Sequence, residues 1–194
     1  MRAGVVVAVV LIHCVPAEAH LNSTGMGPVY DGVAHFFTSP EDAVPALALA
    51  LLAGLRGAAY GRRAAFTLPA AWLAGCIAGM TATTSAGNAV LSSFWFLLLG
   101  GMVAANVELS LPMLTVLASG LGLVHGYMNG TGMGHSEPAL VAVLGLVSAV
   151  FVLSVLVSAV VVSLRAEWAR IAVRVAGSWI TASGLLMLGW AFRR

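Results

Sequence analysis

The sequence predicts an all-α fold, a polytopic membrane helix bundle of about six transmembrane helices after a cleaved signal peptide, because each apolar run approaches the ~20 residues that cross a bilayer. Three observations carry that prediction. Of 194 residues, 60% are hydrophobic and 8% charged, with a mean hydropathy of +1.00, whereas soluble domains carry about 25% charged residues. The apolar runs are continuous rather than alternating, which suits helices and not the strands of a barrel. All nine basic side chains are arginines, and they gather at a few turns. A charge at a helix centre costs about 2.5–3.5 kcal/mol on insertion scales, so a bilayer demands this separation. The formal charge of +2 therefore reports topology and implies no nucleic acid partner.

Residues 1–19 read as the signal peptide. Arg2 forms the basic start, GVVVAVVLI the short apolar run, and Ala17, Glu18 and Ala19 the A-x-A cleavage site. Cleavage after Ala19 makes His20 the mature N-terminus. Cys14 follows His13, a poor match to a lipoprotein box, and Cys76 stands alone in mid-span. Neither a disulfide framework nor a zinc knuckle is expected.

Residues 20–41 form a periplasmic amphipathic segment, and 42–194 the transmembrane bundle. Its apolar segments fall at 42–59, 64–83, 89–105, 111–127, 139–164 and 171–191. With the mature N-terminus periplasmic, the turns bearing Arg56, Arg62 and Arg63, and then Arg165, Arg170 and Arg174, both lie inside. That satisfies the positive-inside rule, and the expected location is an inner membrane crossed several times. The turns TTSAGN and NGTGMGHSE carry no arginine and lie outside; Arg193 and Arg194, also outside, are the discordant pair. The 22 glycines give helix faces that pack closely, in a monomer or a homo-oligomer. No long-period repeat is visible, so inverted-repeat transporter architecture finds no support.

Hydrocarbon selects against polar side chains, so those that remain near membrane depth mark the candidate site. His20, Asp31, His35, Glu41, Asp42, His125, His135 and Glu137 gather on the outer side, while Glu108 and Glu167 stand among the inner arginines. Asp31 and His35 are four residues apart, one helical face, a spacing that suits a carboxylate orienting an imidazole, both binding one divalent cation, or a surface ion pair. Such donors suit Ni(II), Zn(II), Co(II) or Cu(II). Phe36 and Phe37 would anchor that helix among headgroups. Ser39, Pro40, Glu41 and Asp42 spell a helix start, with Ser39 as N-cap and the acids favoured by the helix dipole, so capping alone accounts for both acids as well as ligation does. His125, between small residues in GLVHGYMNG, needs a partner at membrane depth, and Asp31 or Asn88 can supply it. Met128, Met133, His135 and Glu137 follow; the thioethers favour Cu(I) or simply fill gaps. His20 adds a free amine beside its imidazole, a bidentate chelate, or ends a disordered terminus.

The stretches AHLNSTGMGPVYDGVAHFFTSPED, ALLAGLRG, HGYMNG and RVAGSWITASGLLMLGW resemble the HupE/UreJ family of small bacterial membrane proteins, over essentially the whole mature chain. The resemblance implies a bundle of about six helices and a role in moving nickel or a related divalent metal for hydrogenase or urease maturation. His35 matches the family's leading histidine and His125 its later His-Gly motif. Where the better-studied members carry Asp-His, this chain has Glu41 and Asp42, as in a divergent branch.

The leading expectation is a divalent-metal permease that captures its ion at the periplasmic rim through His20, Asp31, His35, Glu41, Asp42 and His135 and passes it by His125. Nickel comes first, with cobalt, zinc and copper as alternatives, and no cofactor is permanently bound. No nucleotide-binding motif is present, so transport would be passive or coupled to another gradient. One rival is a non-transporting accessory subunit of a metalloenzyme maturation system. The other, an intramembrane zinc hydrolase, lacks an H-E-x-x-H or G-x-S-x-G motif. The expectation is therefore not an enzyme.

Overall fold

The computed structural model describes residues 23–82, 89–133 and 138–193. Among them every regular element is a helix: α1 (Pro28–Thr38), α2 (Pro40–Arg56), α3 (Ala58–Met80), α4 (Ala89–Ala104), α5 (Leu111–Met133), α6 (Ala139–Ser163) and α7 (Glu167–Ala191). The expected signal peptide, His20 and His135 lie outside the described residues.

Helices α3, α5, α6 and α7 are each long and apolar enough to cross a membrane. Helices α1 and α2 pass that test only as a pair bent by 76°, which makes five spans if the pair counts as one. Helix α4 has 16 residues, and at 1.5 Å per residue it reaches about 24 Å, short of the ~30 Å of hydrocarbon. Helices α3 and α5 exceed their expected limits by the most. Helix α3 begins at Ala58 and takes the exposed Arg62 and Arg63 into its first turns, because a long guanidinium stem reaches the interface from within a helix. The turn before it shrinks to Gly57, at φ +111, a conformation glycine adopts without the steric cost other residues meet. Helix α5 runs past Tyr127 to Met133, since Asn129 and Gly130 pack inside rather than ending it.

The bend between α1 and α2 follows from local chemistry. A residue before proline is pushed out of helical geometry, and Ser39, before Pro40, sits in extended backbone at φ −101 and ψ 91. Its N–H still closes α1 by donating to the His35 carbonyl at 3.0 Å. Pro40 opens α2 as expected, but the Ser39 hydroxyl makes no capping bond.

Helix α2 is the hub, touching each of the other six described helices. Around it α3 lies along α5, α4 along α7, and α1 against α6. Two glycines show how close these approaches are. A Cβ at Gly126 would overlap the Trp72 carbonyl oxygen, and one at Gly32 would overlap that of Ala142. Such contacts supply packing where lipid offers no hydrophobic drive between helices.

Candidate functional site

Helix α5 buries Leu114, Ala118, Leu121, Gly122, His125 and Gly126 along one stripe. His125 and Asn129, four residues apart, therefore face the same way. Opposite them the first turn of α2 delivers Asp42. Asp42 is 3% exposed and His125 1%, so both have left water and each needs partners.

The partners are one another. His125 Nδ1 lies 2.9 Å from Asp42 Oδ1, and Asn129 Nδ2 donates to Asp42 Oδ2 at 2.9 Å. Trp72 Nε1, from α3, donates to Asn129 Oδ1 at 3.2 Å. Each carboxylate oxygen thus has one neighbour, and the amide's orientation is fixed from both sides. Aromatic rings close the site. The imidazole centroid is 5.5 Å from Trp72 and 6.4 Å from Trp95, and Phe36 of α1 stands edge-on to Trp72 at 6.0 Å.

One atom of this network is unmatched. His125 Nε2 is buried without a hydrogen-bond partner among the described residues. In the tautomer whose Nδ1–H donates to Asp42, Nε2 presents a lone pair. A carboxylate that fixes the tautomer of an imidazole whose other nitrogen is free is the arrangement that prepares histidine for a metal. Trp95 Nε1, also buried and without a partner among the described residues, belongs to the second ring facing the imidazole.

The other expected residues are placed differently. The partner expected for His125 was Asp31 or Asn88, and among the described residues it is Asp42. Asp31 is occupied elsewhere: its Oδ1 accepts from the Thr24 hydroxyl at 2.7 Å and the Thr24 N–H at 2.5 Å. The Thr24 hydroxyl foremost, and its N–H next, hold this carboxyl below its ordinary range. Asn88 lies outside the described residues, as do His20 and His135. His35 is partly buried on α1, next to the Phe36 that packs on Trp72, and Glu41 is exposed. Pro45 deprives the Glu41 carbonyl of its helical N–H partner. Among the described residues no group of three or more His, Cys, Asp or Glu side chains is arranged to hold a metal ion.

Asn129 and Trp72 did not stand out in the sequence. Asn129 had a signal, its position one helical turn beyond His125 on the same face. Trp72 had none, because a tryptophan in an apolar span reads as packing.

No curated protein and no solved structure matches the chain. The family model described as HupE / UreJ protein matches residues 7–187. That span takes in every described helix except the end of α7, as well as the buried Asp42 and His125, and the chain belongs to the HupE/UreJ family.

Proposed function

We propose that this protein moves a divalent transition metal across the membrane, with nickel the first candidate and cobalt, zinc and copper the alternatives. The observation that carries the reading is His125 Nε2, buried and without a hydrogen-bond partner among the described residues, on a ring held by Asp42. Membership of a family associated with nickel or cobalt transport, or with accessory roles, supports it.

One imidazole nitrogen is a poor permanent site, and that suits cargo. Conduction needs binding strong enough to admit an ion and weak enough to release it. In this reading His20, Asp31, His35, Glu41 and His135 gather the ion at the rim, His125 receives it, and Asp42 keeps Nε2 aimed at it. The carboxylate of Asp42, standing where better-studied members carry histidine, has both oxygens engaged and acts by positioning.

A second reading, a non-transporting accessory subunit, draws support from the lack of a three-ligand cluster among the described residues. Flux separates the two. Proteoliposomes holding wild type, His125→Ala or His35→Ala are loaded with a metal-quenched dye and exposed to Ni(II), Co(II), Zn(II) or copper. Wild-type flux of one metal, lost in folded His125→Ala, is the expected result. Absence of flux for every metal from folded wild type would leave the accessory reading standing alone.

A further inference from the structure

The far end of α2 holds a second polar constellation that the metal reading does not use. A cavity of about 380 Å³ opens between the ends of α2 and α4 and the starts of α3 and α7, lined by Arg56, Tyr60, Asn106, Glu108 and Arg170. Its walls are tied to backbone and to one another. Arg56 Nη2 donates to Asn106 Oδ1, Tyr60 donates its hydroxyl to the Leu109 carbonyl at 2.8 Å, and Arg170 Nη2 donates to the Leu55 carbonyl at 3.1 Å. Asn106 is held at φ +52, the one described non-glycine residue at positive φ, and such conformations persist where surroundings over-determine them.

Two features make this cavity more than a turn. Arg56 Nε is buried and has no hydrogen-bond partner among the described residues. The lining holds two guanidiniums and a single carboxyl, Glu108, which forms no ion pair with either among the described residues, so the cavity keeps an excess of positive charge. Guanidinium donors that are fixed in direction and left unpaired match the oxygens of a phosphate.

We propose that this cavity binds a phosphate-class oxyanion, held by Arg56 and Arg170. The same chemistry is carried by free phosphate and by an anionic phospholipid headgroup at the membrane surface. The site stands apart from the metal reading, since none of its residues touches the Asp42 network.

The test uses the full chain, delipidated in a phosphate-free maltoside detergent. In one arm inorganic phosphate is titrated against chloride at equal ionic strength; in the other the micelles are doped with phosphatidylglycerol and retained lipid is counted by native mass spectrometry. The thermal midpoint is read in both, because a ligand that binds the folded state raises it. A saturable rise in the first arm identifies a free anion, and a rise confined to the second a headgroup. In the responding arm Arg170→Gln weakens binding by about tenfold or more, the loss of one charge-assisted contact. Arg56→Lys, which keeps charge but removes Nε, weakens it as well, and decides alone if Arg170→Gln does not fold. Arg165→Gln, exposed and outside the cavity, leaves binding unchanged. No saturable rise in either arm, or equal responses from Arg56→Lys and Arg165→Gln, overturns the proposal.

Discussion

The two ends of α2 solve opposite electrostatic problems. At its start Asp42 is pulled into the apolar interior, with its oxygens matched by His125 and Asn129 and tryptophan rings around them. At its end Arg56 and Arg170 border an open cavity, their charge left without an ion-pair partner among the described residues. Arg170 is exposed to water, whereas Asp42 and His125 are not. Loss of one partner is therefore severe at Asp42 and mild at Arg170, because solvent replaces what a mutation removes only where solvent can enter.

The largest effect that sharpens this contrast is Asp42→Ala. It strands the His125 Nδ1 donor in the core and frees the half-buried Asn129 amide, and each buried donor left unsatisfied costs about 1–3 kcal/mol. Thermal unfolding in detergent measures it; a loss below ~1 kcal/mol, the scale of an exposed pair, would erase the distinction between the two ends. Asp42→Asn separates fold from function more finely. Its carbonyl and amide can still bond His125 and Asn129, so most stability survives. Where the amide N–H faces Nδ1, the imidazole must accept there and carry its proton on Nε2, which removes the free lone pair. Metal flux lost at a near-native midpoint is the expected outcome, and full flux would show that the tautomer of His125 is immaterial.

A middle-sized effect comes from the packing that brings α3 to α5. Gly126→Val puts two methyl groups against the Trp72 backbone, and overpacking costs about 1–3 kcal/mol. Gly132, on the same helix, has no described atom within 4 Å of where its Cβ would be, and Gly132→Ala is expected to leave stability and tryptophan fluorescence unchanged. Equal behaviour of the two would mean that α3 and α5 do not set the Trp72 position. Smaller again is Arg170→Gln on the fold itself. It removes a cation from the α2 C-terminus, worth about 0.3–1 kcal/mol, and a midpoint shift as large as that of Asp42→Ala would contradict the solvent argument.

How legible these sites were in the sequence depended on the same physics. Helices were legible because uninterrupted apolar runs admit no other structure in lipid, and tight packing because glycine was so dense. His125 was legible as an imidazole short of a partner. The partner was not, since Asp42 lies 83 positions away and shares its helix turn with another acid. Both acids fitted a capping role, and only the rotation of α2 against α5 sends Asp42 in and Glu41 out. The cavity at the end of α2 was invisible for a related reason: the sequence offered its arginines only as topology signals, and the positive-inside rule is silent on whether two of them converge.

Glu41 gives the smallest and sharpest comparison, because it differs from Asp42 by one position and about 100° of helical rotation. It is exposed, so its charge is solvated and Glu41→Gln is expected to move stability by less than about 0.5 kcal/mol. Flux tests something else. An exposed rim carboxylate raises the local concentration of a cation and is screened by salt. Glu41→Gln should therefore raise the metal concentration needed for half-maximal flux at low ionic strength, leave the maximal rate alone, and match wild type when salt is high. A lowered maximal rate that salt does not restore would place Glu41 on the ion's path beside His125, and the division of α2's two acids into an inner positioning group and an outer attractor would fail.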